Sequence, residues 1–183
     1  MDLDFFARIA RDMRAAGVEE LGLFYIGESL MNPDLTVAAC RIAKDIGFPY
    51  VFLTTNGSLA DATTVERLMQ AGLDSLKFSL NADTEAQFQA VMGVHPRLWE
   101  RALHHVRQAR AIRDRGRYPC RLYASSIQFD AAQQSRMQAL LETAVLPYVD
   151  EHYWLPLYSM GAFATARERE LGYKPIAGNR VPV

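Results

Sequence analysis

Two hydrophobic periods take turns along this chain, and the switch between them recurs. Phe6, Ile9, Ala10 and Met13 repeat at helical spacing, with Asp2 or Asp4 available as N-cap and Gly17 as the stop. Leu21 to Ile26 then runs apolar throughout, as expected of a parallel-sheet strand covered on both faces. Asn32 caps the next helix with Pro33 in its first turn, where a missing N–H costs nothing; Leu35, Ala38, Ala39, Ile42 and Ile46 form its inner face and Gly47 ends it.

The cycle repeats with a strand at Tyr50 to Thr54 and a helix capped by Asp61, carrying Val65, Leu68 and Met69 inward and stopped by Gly72. Leu76 to Leu80 is the next strand. A short helix through Phe88, Val91 and Met92 precedes a long one whose stripe is Trp99, Leu103, Val106, Ala109 and Ile112, ended by Gly116. Cys120 to Phe129 is a further strand, Asp130 caps a helix with Met137, Leu140 and Leu141, and Val149 to Leu155 is the last strand. This alternation predicts an α/β protein with a parallel sheet and right-handed crossovers, barrel-like or open.

Composition narrows the class without naming a partner. Lys plus Arg at 20 against Asp plus Glu at 21 leave a net charge of −1, so there is no strong nucleic-acid signal. The charge is uneven: from Arg97 to Arg121 eight arginines face only Glu100 and Asp114, a solvated helix face or a docking surface for an anionic partner. No apolar run approaches the roughly 20 residues needed to span a bilayer, and the amino-terminal segment is not a signal peptide, so the chain is read as cytoplasmic, with no membrane partner. Cys40 and Cys120 define neither a disulfide framework nor a metal motif and are expected to be reduced core residues.

In parallel α/β sheets ligands lie beyond the carboxyl ends of the strands. The tips read together are Gly27, Glu28 and Ser29; Thr55, Asn56 and Gly57; Ser79, Asn81 and Asp83; Ser125, Ser126 and Gln128; and Tyr158 with Ser159. Each strand turns from apolar to hydrogen-bonding at its end. Such a ring suits a polar small molecule bearing hydroxyl, amino and carboxylate groups.

Three of these tips, in order, resemble the radical S-adenosylmethionine (SAM) enzymes. Gly27 to Leu30 (GESL) resembles the family's GGEP motif, Thr54 to Gly57 (TTNG) its Thr-Asn-Gly, and Ser79 to Asp83 (SLNAD) its Ser-Leu-Asp segment, with the following TEAQFQAVMG also typical. The resemblance spans residues 1 to about 155. It implies a [4Fe-4S] cluster and SAM as cofactors and, in the complete form, generation of a 5′-deoxyadenosyl radical. It also implies cofactor-binding roles: acceptors for the α-ammonium from Glu28 and the backbone near Gly27 and Ser29, ribose or carboxylate contacts from Ser79 and Asn81, a floor from Thr55 and Asn56, and adenine walls from Ile127 and Leu155.

Two departures shape the expectation. Ile26-Gly27-Glu28-Ser29 lacks the family's first glycine and its proline, and the CxxxCxxC loop that ligates the cluster is nowhere in the chain. The expected fold is therefore a partial (βα) TIM-barrel-like sheet of the radical SAM type missing its first strand. Residues 1–157 form the core, and residues 158–183 an irregular tail resembling the lead-in to an absent extension of the SPASM type. The cluster loop would lie upstream of Met1, this chain alone is expected to hold no cluster, and Leu21 to Ile26 would be an apolar edge open to self-association. Two other readings stand beside this one. A cluster-free barrel could serve as a binding or interaction scaffold, with the arginine helix as its docking face. An unrelated α/β-barrel lyase or aldolase would need Lys77 to point into the barrel and form a Schiff base.

Overall fold

A computed structural model describes residues 2–24, 27–93, 95–129 and 131–157. The elements alternate as α1 (Leu3–Ala15), β1 (Glu20–Gly22), α2 (Pro33–Ile46), β2 (Tyr50–Thr55), α3 (Ala62–Gln70), β3 (Ser75–Ser79), α4 (Glu85–Met92), α5 (Arg97–Gly116), β4 (Arg121–Gln128), α6 (Ala131–Ala144) and β5 (Glu151–Pro156), with a 3-10 turn at Ser29–Met31 before α2 and another at Leu146–Tyr148 before β5. Three caps, Asp2, Asn32 and Asp61, are those the sequence marks, and Thr84 is a fourth that it does not. Asp2, Asn32, Asp61 and Thr84 each accept a backbone N–H in the first turn of the following helix, satisfying donors that the helix cannot. Asp130, the cap expected for α6, and the tail from Tyr158 lie outside the described residues.

The sheet is open and wholly parallel, in the order β1-β2-β3-β4-β5. Sequential order with right-handed crossovers puts the helices on one face. That face is the core, where Val51, Leu53, Leu76, Phe78 and Leu122 are fully buried among Cys40, Leu68, Val106 and Ala109 from the helices. Each such side chain contributes roughly 1.5–3 kcal/mol by leaving water. The opposite, concave face is only half covered. Tyr50, Phe52, Thr54, Lys77 and Tyr123 alternate with the core residues and are partly exposed.

Three expectations need correction here. The inner face of α2 is Thr36, Val37, Ala39, Cys40 and Ala43, because the helix packs on the core through its small residues, and Leu35, Ala38, Ile42 and Ile46 are only half-buried. The strand expected over Leu21 to Ile26 is shorter: β1 is Glu20–Gly22, its burial runs exposed, buried, exposed, and Tyr25 and Ile26 lie outside the described residues. Among the described residues it pairs, as an edge strand, with β2 alone and no helix covers its concave side, so an apolar residue there finds no double cover. In α5 the buried stripe is Trp99, Ala102, His105, Val106, Ala109 and Ile112, with Leu103 only half-buried. The helix approaches β2 and β3 closely enough that Ala102 and His105, not the bulkier leucine, face the Asn56-Gly57 turn.

Several arginines of the basic helix already have partners in the chain. Arg113 binds Asp150 at 2.6 Å, Arg110 binds Asp114 at 2.6 Å, Arg115 reaches Glu66 at 3.3 Å, and Arg107 lies over the Tyr148 ring. Among the described residues, no helix is long and apolar enough to cross a membrane.

Candidate functional site

Glu28 organises the carboxyl end of the sheet. It follows Gly27, whose φ of +90° is the left-handed conformation that glycine adopts without steric cost and that turns the loop back across the strand ends. One carboxylate oxygen of Glu28 accepts the Leu30 N–H at 3.1 Å and the Thr55 hydroxyl at 2.8 Å, and the other accepts the Asn56 N–H at 2.7 Å. The first loop is thereby fastened to the end of β2. A carboxylate offers about four lone-pair sites, so three bonds leave one acceptor direction for a ligand N–H. Ser29 turns inward, donating to the Leu23 carbonyl at 2.8 Å, and holds its own loop together.

The second tip is a tight turn locked from below. The Asn56 side-chain carbonyl accepts from the Ser58 N–H at 2.9 Å and the Ser58 hydroxyl at 2.7 Å, an Asx turn. Gly57 has φ +81°, and a Cβ there would stand 3.1 Å from Phe78 and 3.2 Å from the Ala102 Cβ, so both conformation and space require glycine. His105 of α5 meets the Gly57 carbonyl at 2.7 Å through Nδ1. A carbonyl only accepts, so Nδ1 carries the proton. Burial pulls the His105 pKa below its ordinary value of 6.5, the Gly57 bond opposes that, and Arg101 and His104 add to the depression.

The third tip braces β3 to β4. The Asn81 side chain donates to the Ser79 hydroxyl at 3.1 Å and accepts the Ile127 N–H at 3.1 Å, while Asp83 binds Arg136 of α6. Ile127 and Leu155 are register partners on the concave side of β4 and β5, both half-buried, so the two residues expected as adenine walls adjoin each other. Ser126 belongs to the opposite face, where its hydroxyl meets His152 at 3.0 Å.

Among the described residues two buried hydroxyls, on Thr54 and Ser125, have no hydrogen-bond partner. Ladder register puts both on the concave face, Thr54 beside Lys77 and Ser125 beside Ser79 and Tyr153. Ser125 was legible as a tip residue; Thr54 was not singled out, although its place two positions after Phe52 in an alternating strand puts it on the same face. Lys77 also projects there, its ammonium 5.8 Å from the Phe24 ring and 5.6 Å from the Tyr153 ring.

The residues present do not fit an iron–sulfur cluster. Cys40 lies buried in α2, and Cys120 is buried at the start of β4, at the far end of the sheet from the tips. Burial, with the nearby Asp74 carboxylate, pushes both thiols up to about 12, so both stay protonated. Among the described residues, no group of three His, Cys, Asp or Glu side chains is placed to hold a metal ion.

An open five-stranded parallel α/β sheet with polar strand tips is the architecture of a partial (βα) barrel. Residues 1–115 match the model of the Radical SAM superfamily, and the chain belongs to that superfamily. The same fold appears in solved structures of low identity. A domain of pyruvate-formate lyase-activating enzyme from Bacteroides vulgatus ATCC 8482 superposes with a TM-score of 0.56 at 15% identity, over 87% of this chain and 98% of that one. Streptococcus suis SuiB bound to S-adenosylmethionine gives 0.57 at 14% identity, over 98% of this chain and 42% of that one. 2,3-Dimethylmalate lyase, a PEP mutase/isocitrate lyase superfamily member, gives 0.56 at 14% identity, over 93% of this chain and 63% of that one. The chain thus spans less than two thirds of the length of both the lyase and SuiB.

Proposed function

We propose that residues 1–157 are the SAM-binding core of a radical SAM enzyme, with the cofactor laid across the tips of β1, β2 and β3. The observation that carries this reading is the Glu28 carboxylate bound at once to Thr55 and to the Asn56 N–H, with Asn81 making the matching brace from β3 to β4. Motif residues from separate segments thereby form two braced pairs along the carboxyl edge of the sheet. Its remaining functions suit the cofactor: an acceptor direction on Glu28 for the α-ammonium, the Ser79 hydroxyl for the ribose or the carboxylate, and Ile127 with Leu155 as an apolar wall for the adenine. In the complete enzymes of this superfamily the chemistry supplied is hydrogen abstraction through SAM. This chain's residues bind and orient, and no step through a cluster is drawn for them.

Calorimetric titration of SAM into the full chain tests the reading. Saturable binding is expected, weakened about tenfold in Glu28→Gln, which gives up a charge-assisted interaction with the ammonium. Heats of dilution alone would favour the second reading, a cluster-free barrel serving as an interaction scaffold. The two buried, protonated thiols of Cys40 and Cys120, set away from the strand tips, are what support that alternative.

A further inference from the structure

The concave face of the sheet carries one ammonium in an aromatic setting. Lys77 stands on β3, the middle strand, and its Nζ lies between Phe24, which follows β1, and Tyr153 of β5, so rings from the two outermost strands converge on it. Aromatic faces attract a cation but accept no strong hydrogen bond, so the three N–H donors are still to be matched. Among the described residues no carboxylate lies within ion-pair distance of Lys77. Glu20, which shares this face, sits nearer the strands' amino ends beside Tyr50, and Glu151 lies in the layer of Lys77 but two strands away, with Tyr123 between them.

Lys77 also lines a cavity of about 150 Å³ with Tyr50, Phe52, Tyr123 and Tyr153, whose far end is closed by Ser75 and the Glu20 carboxylate. A space of this size, walled by four aromatic rings, holds a six-membered ring. The two unpartnered hydroxyls adjoin the same lysine: Thr54 is its register partner on β2, and Ser125, 1% exposed, lies one strand over and one layer nearer the tips. One cation, two hydroxyls lacking partners and an aromatic bed form a complementary set for an anion carried on a flat apolar body.

We infer that Lys77, with Thr54 and Ser125, is the recognition element of a substrate subsite on the concave face, selecting a carboxylate borne by a small ring. The inference rests on the proposed SAM-binding role for its meaning as a substrate site, but the recognition itself does not require SAM. The carboxylate binds by ion pair and hydrogen bond, with no covalent step, and the ring lies against the tyrosines. A Schiff base at Lys77 is the opposing chemistry.

The test is calorimetric titration of benzoate, and of its neutral isostere benzamide, into the full chain and into Lys77→Met, Lys77→Arg and Ser125→Ala variants whose folding is checked by circular dichroism. Benzoate is expected to bind at least tenfold tighter than benzamide to the unaltered chain. That preference is expected to vanish in Lys77→Met, survive in Lys77→Arg, and fall two- to fivefold in Ser125→Ala, while SAM affinity in Lys77→Met stays unchanged. Equal affinity for the two probes, no binding of benzoate, or an unaltered preference in Lys77→Met would overturn the inference. So would borohydride trapping of a carbonyl probe on Lys77. The benzoate–benzamide comparison needs no variant to fold and no SAM to bind, so loss of SAM binding with the preference intact would count against the cofactor reading alone.

Discussion

Single residues at the strand tips do two kinds of work, and His105 shows the structural kind. It was not legible as a site residue, because a histidine on a helix face gives no sign of which carbonyl it will meet. Its Nδ1–H supports the Gly57 carbonyl from behind the sheet, and burial holds its pKa below 6.5. With a folded pKa below the unfolded one, the unfolded chain binds more protons as pH falls past 6.5. The stability that neutral His105 contributes is therefore complete above that value and lost below it. Burial shifts His152 in the same direction. Urea unfolding between about pH 7 and pH 5 should show a falling midpoint whose slope is reduced, not abolished, in His105→Asn. An unchanged slope would mean that the histidine carries no proton linkage. Glu28 is the converse case. The sequence marked it as a ligand-binding group, and the structure adds that most of its hydrogen-bonding capacity goes to Leu30, Thr55 and Asn56.

Among elements, the strands and helices followed from periodicity, with marked caps at Asp2, Asn32 and Asp61 for α1, α2 and α3. What periodicity missed was the difference between the sheet's two faces. Tyr50, Phe52 and Tyr123 are apolar enough to suggest cover on both sides, yet they line the concave face, where no helix among the described residues crosses. The amino ends of the strands carry a repeated device that was not legible either, because it joins positions far apart in sequence. Asp74 precedes β3, accepts the Val51 N–H of β2 at 2.7 Å and pairs with Lys44. Asp150 precedes β5, accepts the Leu122 N–H of β4 at 2.8 Å and pairs with Arg113. Burial alone would raise the Asp150 pKa, but the Leu122 N–H and the Arg113 guanidinium outweigh it and hold the carboxyl below its usual range. Asp150→Ala removes a charged acceptor from a partly buried N–H and should cost about 1.5–3 kcal/mol in urea unfolding. A loss under about 0.5 kcal/mol would show that water replaces the carboxylate there.

For the molecule as a whole, family and fold agree where resemblance and architecture meet, in the three tips between Gly27 and Asp83. Three short motifs on consecutive strands were readable because the βα repeat fixes which end of each strand they occupy. Lys77 was readable only as a lone lysine in a strand, since the rings that flank it come from positions more than 50 and 70 residues away. The central claim is that those tips hold SAM. The most direct measurement is amide chemical-shift mapping by NMR as SAM is added to the full chain. Shifts concentrated at residues 27–30, 54–58, 79–82 and 125–127, at the carboxyl ends of the strands, are the predicted result. No saturable shifts, or shifts centred on Lys44, Asp74 and Asp150 at the opposite ends, would contradict it.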